Sequence, residues 1–277
     1  MNNYALAGLV PRSRLLTAAL LLCLVLLLLW QGSTVLILTV FAAIALVAVW
    51  EWAGMCPGLE GAWRWPLLAT LAATMLALYF LPTVVGAMVL AVALLWWALA
   101  LGLVLRYPSL PAWLGGPLAQ ALIIGIAVVP AWLALSRLAA GHRGLLLVCL
   151  SLVWAADSAA YLVGRRLGSR KLCPQVSPGK TVEGLVGGLV AAAFTGLAAG
   201  LAFRLDTAAL IGLMGLTTLC AALSVVGDLA ESLFKRRAGI KDSGAVLPGH
   251  GGVLDRIDAL LAAAPLFALA APLLVGD

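Results

Sequence analysis

Two pairs of carboxylates stand out in a chain that is otherwise poor in charge. Asp228 and Glu231 follow the apolar run LCAALSVVG, and Asp255 and Asp258 open the last apolar block, the members of each pair three residues apart. That spacing puts both members of a pair on one face of a helix, so four oxygen-donor groups can converge from two helix ends. An ionisable group at membrane depth costs at least about 2.5 kcal/mol and is a functional candidate by default. Hard oxygen donors with no cysteine or paired histidine suit magnesium, which prefers carboxylates together with waters and substrate phosphates. Asp228, Asp255, Glu231 and Asp258 are therefore the candidate metal ligands. Helix capping, or pairing with Lys235, Arg236, Arg237, Lys241 and Arg256, is the competing explanation, strongest for Glu231 and Asp258. Asp157, with Ser158 and Tyr161 nearby, can line the same cavity or act as an outer acceptor.

A site that handles phosphates also needs cations. Lys180 stands in SPGKT, where Ser177, Gly179 and Thr181 let backbone N–H groups approach phosphate oxygens and the following helix points its positive end at them. The triplet GKT invites a P-loop reading, which fails because Pro174 stands where the first glycine is required and no strand is expected before it. Arg165, Arg166, Arg170 and Lys171 read first as topology determinants or lipid-headgroup contacts. Lys235, Arg236 and Lys241 differ in being interleaved with the carboxylate pairs. The segment PGHGG, residues 248–252, supplies Gly251 and Gly252 as backbone that can come close to a ligand. His250 within it can act as general acid or base, phosphate donor or loop hydrogen-bond partner, and spacing alone does not choose.

These residues are carried by a chain of 277 residues that is 64% apolar and 10% charged, far below the roughly 25% charged content of soluble domains. Apolar blocks of roughly 16 to 24 residues, the length a helix needs to cross a bilayer, run from about 15–30, 35–50, 65–80, 84–103, 118–135, 145–163, 185–203, 208–229 and 254–275. In lipid each block must close its own backbone hydrogen bonds, so an all-α polytopic membrane protein with about nine transmembrane helices is expected. The first block, preceded by Arg12 and Arg14, is read as a retained span. With the N-terminus in the cytoplasm, fourteen of the seventeen Lys and Arg residues fall on the cytoplasmic side and only Arg137, Arg143 and Arg204 on the other. The positive-inside rule selects that orientation and puts the C-terminus outside, in a bacterial inner membrane. The net charge of +6 then reflects topology and anionic lipid, with no nucleic acid needed to explain it. Five scattered cysteines without a CxxC pair argue against a zinc site or disulfide framework.

The chain divides unevenly. Residues 1–153 contain only Glu51 and Glu60 as acids, whereas eight of the eleven acidic residues lie between Asp157 and Asp258. The first part reads as membrane embedding, and residues 154–277 as the functional part of one structural unit. Two loops, 164–183 after the sixth span and the stretch from 231 into the last span, fall on the same membrane face and can build one site.

The stretch SLFKRRAGIKDSGAVLPGHGGVLDRID, residues 232–258, resembles the signature of phosphatidate cytidylyltransferases. Ser232, Lys235, Arg236, Lys241, Asp242, Gly244, Leu247, Pro248, His250, Gly251, Gly252, Asp255, Arg256 and Asp258 all match its fixed positions, and DSAAYLVGRRLG and LCPQVSPGKTVEG upstream are also similar. The resemblance spans residues 157–258. It implies transfer of CMP from CTP to phosphatidic acid, giving CDP-diacylglycerol and pyrophosphate. It further implies magnesium dependence around Asp228 and Asp255, a second, monovalent cation such as potassium, and a homodimer. Asp228, Asp255, Lys241, His250 and Arg256 become the candidate catalytic residues. Ser177, Lys180, Thr181, Lys235, Arg236, Gly251 and Gly252 become candidates for binding CTP and phosphatidate. A related CTP-dependent enzyme acting on an ether lipid or isoprenoid alcohol shares this logic. The motif of CDP-alcohol phosphotransferases is absent, and a transporter would show polar interruptions in both halves.

Overall fold

The computed structural model of the protein describes residues 23–244, 246 and 251–276. They form a bundle of long helices: α1 (described over 23–31), α2 (Thr34–Gly54), α3 (Arg64–Phe80), α4 (Thr83–Arg106), α5 (Pro117–Gly141), α6 (Arg143–Leu167), α7 (Val182–Ala202), α8 (Thr207–Arg237) and α9 (Leu254–Val275). Among the described residues, seven helices, α2 and α4 through α9, are long and apolar enough to cross a membrane. The expected all-α membrane architecture is therefore present. Of the nine expected spans, the third is α3, whose 17 residues cover only about 25 Å at 1.5 Å per residue, and most of the first lies outside the described residues. His250, with Leu247 and Pro248, also lies outside them.

The bundle is apolar inside and out, as lipid requires. On α4, Trp97, Ala100 and Val104 are buried while Val84, Met88, Val92, Leu95 and Leu99 form an exposed stripe at three- and four-residue spacing, the face left for acyl chains. The core runs along α5, where Ile124, Ala127, Val128, Leu133 and Ala134 are buried. Small residues set the closest crossings. A Cβ on Gly188 of α7 would lie 3.0 Å from the Ala156 carbonyl oxygen of α6, and one on Gly196 would meet Met214 Cα of α8 at 2.8 Å. The glycines of α7 are thus used within the chain, packing α6 on one side and α8 on the other. All five cysteines are unbridged. Cys56, in the loop after α2, donates to the Trp52 carbonyl and to Gln120 Oε1, and burial pushes its thiol up to about 12, which marks it as an inert packing residue.

Two boundaries differ from the sequence reading. The loop 164–183 contains a β-hairpin: β1 (Lys171–Cys173) pairs antiparallel with β2 (Ser177–Thr181), Lys171 opposite Thr181 and Cys173 opposite Ser177, with an irregularity between. SPGKT is therefore itself a strand, entered from a strand and leading into α7, and the expectation that no strand precedes Lys180 is corrected. The second polar segment begins later than expected, because α8 continues eight residues past the eighth apolar block without a break. Glu231, Ser232, Lys235 and Arg236 sit on its last two turns, clear of the apolar stretch, where basic residues favour a helix C-terminus.

Candidate active site

The C-terminal end of α8, the N-terminal ends of α7 and α9, the hairpin and the C-terminal end of α2 meet at one end of the bundle. Thr181 opens α7 by accepting the Gly184 N–H, 3.1 Å, on its hydroxyl, so this buried side chain serves the helix start. The hairpin is fastened below by Glu183, which accepts from the Ser169 amide and hydroxyl and from the Arg170 amide and guanidinium. It is fastened to α8 by Arg236, whose Nε donates to the Val176 carbonyl at 3.3 Å. These ties leave Lys180 reaching across to Asp228, Nζ to Oδ2 2.7 Å, while Ser232 Oγ donates to the other oxygen at 3.4 Å.

Opposite the hairpin, α8 and α9 cross closely at Gly227, where a Cβ would lie 3.0 Å from that of Ala262. The crossing faces the two carboxylate pairs toward each other. Lys235 bridges them, its Nζ 2.5 Å from Glu231 Oε2 and 2.7 Å from Asp255 Oδ1. Asp255 also accepts the Ser243 N–H at 3.1 Å and the Gly252 N–H at 2.8 Å on Oδ2. Its carboxylate thereby gathers the two ends of the segment 243–252. Gly251 has φ +82°, and a Cβ there would lie 2.9 Å from Asp255 Oδ2, so both backbone and space require glycine. Asp258 is buried one turn deeper and accepts the Ala259 N–H at 2.7 Å. Asp157 on α6 lies near enough for its charge to act on Asp258 and to interact with Lys180 and Asp228. Five acids from three helices thus share one cluster with two lysines, and among the described residues the buried Glu231 Oε1 has no hydrogen-bond partner.

Residues 12–274 match the family model described as "Cytidylyltransferase family". The chain belongs to the cytidylyltransferase family. Among its relatives, a phosphatidate cytidylyltransferase of Pseudomonas aeruginosa is 44% identical over 232 residues, covering 82% of this chain and 84% of that protein. One from Haemophilus influenzae is 46% identical over 187 residues, 63% of this chain and 65% of its own length. One from Brucella suis is 50% identical over 122 residues, 43% of each chain.

Within this cytidylyltransferase, the candidates from the sequence fall into three groups. Asp228, Glu231, Lys235, Asp255, Asp258 and Lys180 come together in one cluster. Ser177 and Arg236 flank it on the hairpin side, while Lys241 and Arg256 are exposed at the rim on the α9 side. Thr181 is buried in the α7 cap. The sequence reading assigned residues 1–153 to membrane embedding, and one acid in that part is misplaced by it. Glu51, near the end of α2, is buried at 5% exposure and accepts the Val253 N–H at 3.0 Å on Oε1 and the Leu254 N–H at 2.8 Å on Oε2. The available signal was an ionisable residue in an otherwise apolar span.

Proposed function

We propose that this chain is a phosphatidate cytidylyltransferase that joins CTP and phosphatidic acid into CDP-diacylglycerol with release of pyrophosphate. The observation carrying that reading is the cluster of Lys180, Lys235, Asp228, Glu231, Asp255 and Asp258 at the mouth of a lipid-exposed bundle, in a family whose relatives act on phosphatidate. In the reaction an oxygen of the lipid phosphate attacks the α-phosphorus of CTP. The bond from that phosphorus to the bridging oxygen breaks, and pyrophosphate leaves with the electron pair. The attacking group is already anionic, so the protein need supply no nucleophile. What it must supply is position and charge neutralisation. Lys180 and Lys235 are at hand for phosphate oxygens, and the exposed Arg256 and Lys241 stand where a triphosphate arrives from water. His250 stands in the segment the signature shares with the family.

Among the described residues no three metal-ligating side chains converge into a complete cage. Magnesium does not demand one, since one or two carboxylates suffice when substrate phosphates and waters complete the shell. The hard-oxygen donors and the unpartnered Glu231 Oε1 fit such an ion. Asp228 and Asp255, supported by Glu231 and Asp258, would hold it, with a monovalent cation such as potassium as the second. Bound there, the metal would offset charge on the triphosphate.

The same reading places the site at the cytoplasmic face of a bacterial inner membrane, with nine spans, the N-terminus inside and the C-terminus outside. Support comes from the cations: Arg64 packs near Gly54 at the site end of α2, whereas Arg137 reaches the Thr83 carbonyl and Arg143 the Leu29 carbonyl at the far end. In a background without native cysteines, Arg165→Cys should label only from the cytoplasmic side and Arg204→Cys only from the other; the reverse pattern contradicts this orientation. A homodimer would use surfaces other than the α7 glycines, which are occupied within the chain.

The function itself is tested with purified protein in detergent, supplied with CTP, phosphatidate and magnesium. Product should form with the wild type, cease on chelation and return with magnesium. Asp228→Asn and Asp255→Asn should each lower kcat at least on the order of 100-fold. Product from an isoprenoid alcohol or ether lipid but none from phosphatidate would move the assignment to a related cytidylyltransferase.

A further inference from the structure

We infer that Glu51 is a positioning residue for this reaction: from α2 it holds the start of α9, and so fixes the segment that carries Asp255. The inference rests on the cytidylyl-transfer reading above but adds a residue outside the signature. The N-terminus of α9 begins at Val253, whose side chain can cap nothing, although the first amides of every helix need acceptors. Glu51 supplies them from 202 residues away in sequence. Each of its two oxygens takes one amide, Val253 to Oε1 and Leu254 to Oε2, and Ser243 Oγ donates to Oε2 at 3.3 Å. Among the described residues the hydrogen-bond partners of this buried carboxylate are neutral donors, two aligned amides at the positive end of α9 and one hydroxyl.

Two glycines of the signature are shaped by the same side chain. A Cβ on Gly252 would lie 2.6 Å from Glu51 Oε2, and one on Gly244 would lie 2.8 Å from Glu51 Cδ. Both ends of the segment 244–252 therefore close onto Glu51 from above, while Asp255 ties Ser243 and Gly252 from below. Remove the α2 carboxylate and the amides of Val253 and Leu254 lose their acceptors two residues and one residue before Asp255.

Glutamine cannot replace it, because both oxygens accept an amide and either orientation of a carboxamide sets an N–H against one of them. Glu51→Gln should lower kcat on the order of 100-fold, with KM for phosphatidate within about threefold of wild type because substrate contacts are untouched. The thermal midpoint should stay near the wild-type value, and hydrogen exchange at Val253 and Leu254 should speed up. Gly252→Ala, whose Cβ would press on Ser243 Oγ and on the same carboxylate, should reproduce these effects, and combining it with Glu51→Ala should cost little more than either alone. A folded Glu51→Gln protein with wild-type kcat overturns the inference. So does a loss of activity matched by a fallen midpoint while exchange at Val253 and Leu254 is unchanged. If Glu51→Gln cannot be purified, Gly252→Ala is judged by the same criteria. Should the wild type make no CDP-diacylglycerol, the reaction is misassigned, yet the exchange rates still decide whether Glu51 holds α9.

Discussion

Lys235 is the most heavily engaged cation of the cluster, held between Glu231 and Asp255 with little exposure of any of the three side chains. Removing one partner of such an arrangement strands the others as uncompensated buried charges, which typically costs about 3–5 kcal/mol. Lys235→Met should therefore depress the thermal midpoint by many degrees as well as abolish turnover, whereas Lys235→Met combined with Glu231→Gln should recover part of the lost stability. A single variant as stable as wild type would show the bridge to be unimportant. At this scale the carboxylate pairs were legible because three-residue spacing on a helix is a local geometric fact. The partners were less so: that Lys180 meets Asp228, or that Lys235 spans two helices, depends on crossings such as that at Gly227 which no local pattern encodes. Glu51 was the extreme case, since a helix cap delivered in trans leaves no trace near the helix it caps, and α9 shows only a valine at that position.

Helices were the legible elements, since a long apolar block in lipid has few other ways to satisfy its backbone. The hairpin was not. Its strands have three and five residues, and SPGKT contains Pro178 and Gly179, both poor strand residues. The pairing and the Glu183 and Arg236 ties hold it together, and those are tertiary. The end of α8 was misjudged for a related reason: the charged run from Glu231 resembles a loop by composition, while the helix continues beyond the apolar stretch. The crossing of α6 and α7 gives an element-scale prediction. Gly188→Leu places a side chain where the Ala156 carbonyl stands 3.0 Å from the Cβ position. It should force α6 and α7 apart, lower the thermal midpoint and disturb the hairpin anchored between them, without altering self-association measured by crosslinking. Loss of a crosslinked dimer at unchanged stability would instead place this stripe between subunits.

Across the whole molecule, an apolar bundle with acyl-compatible outer faces carries its charged cluster at one end, where four helix ends and a hairpin converge. That placement suits joining a membrane-held phosphate to a water-soluble nucleotide, because neither reactant has to leave its own phase. Residues 1–153 share in this through Glu51, so the two parts of the chain work as one unit around the site. The most direct measurement follows label from CTP in the purified protein with magnesium and phosphatidate. Label at the α-phosphate should appear in the lipid and label at the γ-phosphate in pyrophosphate, in equal amounts and only with Asp228 and Asp255 intact. Failure of α-label to enter the lipid while phosphatidate and magnesium are saturating, or its appearance with Asp228→Asn at the wild-type rate, would contradict the assignment of this cluster to cytidylyl transfer.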